Sequence, residues 1–136
     1  MLEAEIRELR RKAEGGDARA QYELGCKYYE GDDVPQDYAE ALKWYRASAA
    51  QGNNSGLCDV GYCYRKGHGV EQDYAKAIPY YEQAAKQGCP TAAFWLAHSY
   101  ANGEGVGKDL QKARHWYKIA IERGDSDAAE ELAQLK

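Results

Sequence analysis

At 136 residues, 44% of them hydrophobic, the chain has the length and apolar content for one domain with a buried core. Its formal charge of −4 and lack of any basic run exclude the electrostatic footprint of a nucleic-acid binder. No apolar stretch approaches the roughly 20 residues that cross a bilayer, and Met1–Arg11 has neither an unbroken apolar segment nor a small-residue cleavage site, so a cytosolic location is expected.

The first predicted element is an N-terminal helix within residues 1–16, with Leu2, Ile6, Leu9 and Ala13 at helical spacing. From Asp17 onward the chain repeats every 36 residues: Gly31, Gly67 and Gly103 recur in register, as do Tyr28, Tyr64 and Tyr100, and Val34, Val70 and Val106. Asp37, Asp73 and Asp109 share the same period, with Ala41, Ala77 and Ala113, Tyr45, Tyr81 and Tyr117, and Gly52, Gly88 and Gly124. Such a period means stacked supersecondary units, none of which buries its apolar face alone. The expected units are 17–52, 53–88 and 89–124.

Each unit reads as a helical hairpin. In the first, Ala20, Leu24 and Tyr28 form one apolar stripe, helix A, beside the polar Gln21, Glu23 and Lys27. Gly25 interrupts that helix at a cost of about 1 kcal/mol; its counterparts are Gly61 and Ala97, so only small residues stand there, which predicts a close helix approach. Asp37 then caps helix B, whose stripe is Ala41, Trp44, Tyr45 and Ala49, and Gly52 ends it in the left-handed conformation. Asp17, Asn53 or Asn54, and Asp125 are placed to cap the following helices A, and Pro90 opens the third. Pro79 falls several residues into the second helix B, predicting a kink, a delayed start or a locally opened groove. A final segment, 125–136, aligns Ala128 and Leu132 with Ala92 and Leu96 and predicts a lone helix A. The expected fold is all-α: three hairpins with a capping helix at each end, a self-contained stack.

The string Ala20-Gln-Tyr-Glu-Leu-Gly-Cys-Lys-Tyr-Tyr-Glu-Gly31, continued by Val34, Asp37, Ala41, Trp44-Tyr45 and Ala49-Ala50-Gln51-Gly52, resembles the Sel-one-like repeat, a relative of the tetratricopeptide repeat. The second and third units match through Gly67-His68-Gly69-Val70 and Gly103-Glu104-Gly105-Val106 and their flanking positions. Departures are Asp33 for the second loop glycine, Ala97 for the helix A glycine and Ile121 for an alanine, which leave local loop shape open. The resemblance implies a right-handed α/α solenoid acting as a non-enzymatic scaffold or adaptor for proteins. A cysteine-rich exported branch of the family is associated with β-lactam binding or hydrolysis; this chain lacks its cysteine spacing, so that activity is not carried over.

In tetratricopeptide-like stacks the helices A line a concave groove. By alignment on Leu24-Gly25 the resemblance places Arg19, Tyr22, Cys26 and Tyr29 there, then Ser55, Cys58, Tyr62 and Arg65, then Thr91, Phe94, His98 and Ala101. Aromatic residues and arginine are the types enriched at binding hot spots, and Tyr29, Tyr62, Arg65 and His98 are the ones the hairpin itself does not require. The expected occupant is a protein or peptide, with no cofactor and with a monomer plausible. A small inhibitor or immunity protein is the alternative within the binding class, and a cell-wall or β-lactam hydrolase the alternative outside it. Chemistry elsewhere is weakly signalled. Gly103-Glu-Gly-Val-Gly-Lys108 has the wrong glycine spacing for a phosphate loop and lacks the strand before it. Cys26, Cys58, Cys63 and Cys89 do not follow the repeat and read as free thiols, and with His68, His98 and His115 they form no metal-ligand spacing.

Overall fold

The computed structural model describes residues 2–135; Met1, the side chain of Leu2 and Lys136, all within the predicted caps, lie outside the described residues. The helices are α1 (Leu2–Glu14), α2 (Ala18–Glu30), α3 (Tyr38–Ala50), α4 (Asn54–Lys66), α5 (Tyr74–Lys86), α6 (Pro90–Asn102), α7 (Leu110–Glu122) and α8 (Ser126–Gln134). The substantial helix–helix contacts join consecutive helices, so the fold is an α/α solenoid in which each layer rests on its neighbours.

The predicted caps form. Asp37, Asp73 and Asp109 each accept a backbone N–H three residues on at 3.1 Å, from Glu40, Lys76 and Lys112. Asn53, rather than Asn54, caps α4, and Asp17 and Asp125 cap α2 and α8. Helices α2, α4 and α6 end on Gly31, Gly67 and Gly103 at φ 71°, 75° and 70°. Asp33, the loop departure, adopts φ 68°, close to the 77° of its counterpart Gly69, so the first loop keeps its shape.

The small residue on helix A has a definite neighbour. A Cβ on Gly25 would stand 2.7 Å from the Tyr45 ring, and one on Gly61 2.9 Å from the Tyr81 ring. The helix B tyrosine therefore packs directly against the helix A backbone. Around this contact the core assembles from Ala41, Leu57, Val60, Ala77, Tyr81, Leu96, Ala97 and Tyr117, all buried.

Pro79 does not delay its helix. α5 begins at Tyr74, where α3 begins at the corresponding Tyr38, and continues to Lys86. The proline is exposed, so its ring meets solvent rather than core. The hydrogen bond from Ala77 N–H to the Asp73 carbonyl is 3.3 Å, against 3.0 Å for Ala41 to Asp37 and Ala113 to Asp109. A proline in a helix interior costs about 3 kcal/mol relative to alanine, partly offset by up to about 1 kcal/mol from a stiffer unfolded chain. Pro79→Ala is accordingly expected to stabilise the protein by about 2 kcal/mol, read as a higher urea midpoint with an unchanged slope.

Candidate functional site

The half-buried side chains of α2, α4 and α6 form one strip across the stack. Tyr22 and Tyr29 project from α2; Asp59 and Tyr62 from α4; Phe94, Trp95 and His98 from α6. Ring contacts link them: Tyr62 lies 5.8 Å from Trp95, Trp95 5.1 Å from Phe94, and Phe94 stacks on His98 at 6.3 Å. Between α2 and α4 the strip opens into a cavity of about 230 Å³ lined by Tyr22, Cys26, Tyr29, Tyr45, Asp59 and Tyr62, with Glu30 at its edge.

The electrostatics of this cavity are set by burial. Desolvation raises the Asp59 carboxyl to about 6, and the neighbouring Tyr22 hydroxyl pulls weakly the other way. Among the described residues no lysine, arginine or histidine forms an ion pair with Asp59. The Tyr45 hydroxyl donates to Cys26 Sγ at 3.5 Å, yet burial still pushes the Cys26 thiol up, the reverse of an activated nucleophile. Tyr29 is pushed up to about 12, again by burial.

A second, larger depression of about 620 Å³ lies between α1 and α2. Its charged lining is solvated, and Arg19 and Glu23 within it already pair at 3.1 Å. The chemistry lies in the smaller cavity.

The residues expected in the groove divide into three groups. Tyr22, Cys26, Tyr29 and Tyr62 share the cavity, and Phe94 and His98 extend the strip. Arg19, Ser55 and Thr91 are exposed at the start of their helices, away from that lining, and Ala101 is half-buried. Cys58 and Arg65 are only 6% and 7% exposed, which corrects the expectation that they face a partner. Cys58 is buried against Cys89, whose thiol it and the free N–H groups at the start of α6 hold below the usual range. Arg65 Nη2 donates to Glu104 Oε1 at 2.8 Å, and its guanidinium lies 4.3 Å from the Trp95 ring centre and 5.2 Å from that of Tyr74. Its charge is already matched.

Arg65 also explains Tyr29. The two are one period apart, as are Glu104 and His68, and Tyr29 Oη lies 2.7 Å from His68 Nδ1. Each pair ties the end of a helix A to the loop of the next unit. The first clasp is aromatic and stacked, with Tyr38 on His68 at 4.3 Å; the second is an ion pair. Neither contact was visible in the sequence, because each joins residues 39 apart through the stack.

Asp59 and Trp95 were missed outright. Both occupy the position of Glu23, which reads as a solvated flank of helix A. Glu23 is exposed, whereas α2 covers Asp59 and α4 covers Trp95. A carboxylate and an indole at one repeat position was the available signal. His115 sits apart on α7 beside Trp116, and the four cysteines are free thiols. Among the described residues no helix is long and apolar enough to cross a membrane.

Comparison with known proteins agrees with this architecture. The Sel1 repeat profile matches residues 18–53, 55–89 and 90–125. A Sel1 repeat protein from Oxalobacter formigenes superposes with a TM-score of 0.90 at 30% identity, over 98% of this chain and 55% of that one. A protective antigen of uropathogenic Escherichia coli with an SLR fold gives 0.89 at 37% identity, over 91% of this chain and 27% of the other. The secretory immunoglobulin A-binding protein EsiB of Escherichia coli is 42% identical over 41 residues, 30% of this chain and 8% of its own length. The chain thus spans about half or less of each of these relatives. With three matched repeats covering most of its length, the chain belongs to the Sel1 repeat family.

Proposed function

We propose that the strip on α2, α4 and α6 is the concave groove of a non-enzymatic interaction module that holds an extended peptide or a surface loop of a partner protein. The observation that carries this reading is the half-exposed aromatic row Tyr22, Tyr29, Tyr62, Trp95 and Phe94, which continues across all three repeats. Large, rigid rings desolvate a partner at low entropic cost, and they dominate interface energetics. The helix B aromatics Tyr45, Tyr81 and Tyr117 are buried and support the stack; the row on helix A is not consumed in this way. Sel1 repeats generally serve protein–protein interaction, and one relative is named for binding secretory immunoglobulin A, so recognition of a protein by such a stack has a precedent.

The test is a photo-crosslinking amino acid placed at Tyr62 and, as a control, at the exposed Glu82 on α5. Crosslinks to one defined protein from position 62 and not from 82, lost in a folded Phe94→Ala background, are expected. Equal crosslinking from both positions overturns the groove assignment.

A further inference from the structure

The cavity between α2 and α4 contains a half-buried, partly desolvated carboxylate without a counter-charge. Buried charges in folded proteins are normally paired, since each carries a desolvation cost that a hydrogen bond or two does not repay. Asp59 receives only the Tyr22 hydroxyl, and the other groups lining the cavity add no positive charge: Cys26, Tyr29 and Glu30 on α2, Tyr45 on α3 and Tyr62 on α4. Arg46, the cation on the far side of Cys63, donates to the Tyr64 hydroxyl at 2.6 Å. The cations closest in sequence do not pair with it. Arg65 is held by Glu104, and Lys66, exposed with its Nζ 5.9 Å from the Tyr62 ring centre, forms no ion pair with Asp59.

We propose that this cavity is a recognition pocket for an arginine side chain of the partner protein, with Asp59 pairing the guanidinium and the rings of Tyr22, Tyr29 and Tyr62 packing against it. The inference rests on the groove reading above and specifies what the groove selects. Aromatic faces carry negative potential, so a wall of tyrosines around a carboxylate attracts a cation and repels an anion. Arginine fits better than lysine because the guanidinium is planar, stacks on rings, meets a carboxylate with two parallel donors and sheds water more readily than an ammonium. A cavity of about 230 Å³ takes one long side chain, whereas a helix, about 10 Å across, is excluded. Glu30 at the edge adds a second negative charge on the approach.

The geometry of the second clasp shows the same chemistry satisfied within the chain. There Arg65 lies against the Trp95 and Tyr74 rings and pairs with Glu104. One repeat earlier the corresponding positions hold Tyr29, Asp59, Tyr38 and His68, so the arginine is absent and the carboxylate stands at the place of Trp95. A partner's arginine at Asp59 would meet the same kinds of group that Arg65 meets, a carboxylate and aromatic rings, in a different arrangement.

The experiment titrates blocked glycine pentapeptides bearing a central arginine, lysine, glutamine or glutamate into the full chain, followed by amide chemical shifts. Saturable shifts at Tyr22, Asp59 and Tyr62 are expected, strongest for arginine. Asp59→Asn is expected to weaken arginine-peptide binding at least tenfold while leaving the thermal midpoint unchanged or raised, a combination that a purely structural carboxylate would not give. Glu23→Gln, one repeat earlier and exposed, leaves binding as it was. Should Asp59→Asn fold poorly, Asp59→Ala supplies the same readout. Absence of saturable shifts at the cavity, binding that survives loss of the carboxylate, or equal binding of the lysine or glutamine peptide overturns the pocket. Persisting crosslinks at position 62 alongside a silent arginine peptide would sink the pocket and leave the groove standing; failure of both removes the groove as well.

Discussion

Gly105→Ala is expected to destabilise the protein by about 3–4 kcal/mol, although the residue is solvent-exposed and the change adds one methyl group. Two costs combine. The backbone at Gly105 has φ 76°, where a Cβ crowds the following carbonyl, at about 1–2 kcal/mol. The new Cβ would also stand 2.5 Å from the Tyr74 carbonyl carbon and 2.6 Å from the Ala75 nitrogen. These are backbone atoms at the first turn of α5, so relief requires the loop to lift off the preceding repeat, adding about 2 kcal/mol in the range of core overpacking. Gly103→Ala separates the two terms. Its φ is 70°, yet its nearest neighbour would be Lys108 Cβ at 3.5 Å, an ordinary contact. That variant is expected to lose about 1 kcal/mol. Urea unfolding of both measures the difference; equal losses would show that the inter-repeat contact carries no energy. Gly69→Ala, against the Tyr38 carbonyl oxygen at 2.5 Å, should behave like Gly105→Ala.

The contrast between Gly103 and Gly105 shows where sequence reading reaches its limit. Both recur with the period, and both are legible as turn glycines. Local chemistry dictates the left-handed backbone at each, and Asp33 shows that a short polar side chain can occupy the second site in the first loop. The contact of Gly69 and Gly105 with the preceding helix B belongs to the stacking, which no single repeat encodes. The same division holds at the candidate site. Caps, stripes and the tyrosine against Gly25 and Gly61 follow from periodicity, because the hairpin requires them every time. Arg65 was misplaced because exposure was inferred from its position on helix A, and the partner that buries it, Glu104, arrives from the next repeat's loop. Asp59 escaped notice because its burial comes from the covering helix α2, not from its own neighbours in sequence. Periodic residues reveal the unit; the side chains between units are fixed by what the stack brings over them.

Ala77→Arg is expected to abolish the folded state, a loss above about 5 kcal/mol against the 5–15 kcal/mol that holds a typical domain together. Ala77 is 2% exposed, and its counterparts Ala41 and Ala113 are fully buried, so the position is closed in every repeat. An arginine there must either expel the core around Tyr81 and Leu57 or leave a guanidinium without a partner, and each cost alone reaches several kcal/mol. The location enlarges the effect. α5 packs on both α4 and α6, the middle of a stack whose layers touch mainly their neighbours. Damage there removes two interfaces and leaves two separate pieces, α1–α3 and α6–α8, each one hairpin with one capping helix, too little buried surface to persist. Unfolding should therefore be complete, seen as lost helical circular dichroism at room temperature, rather than confined to the second repeat. Ala75→Arg, two residues earlier on the exposed face, is expected to change stability by less than about 0.5 kcal/mol. A folded Ala77→Arg protein with a melting curve like that of Ala75→Arg would mean that the helix B stripe faces solvent, and the register of all three repeats would then be wrong by that rotation.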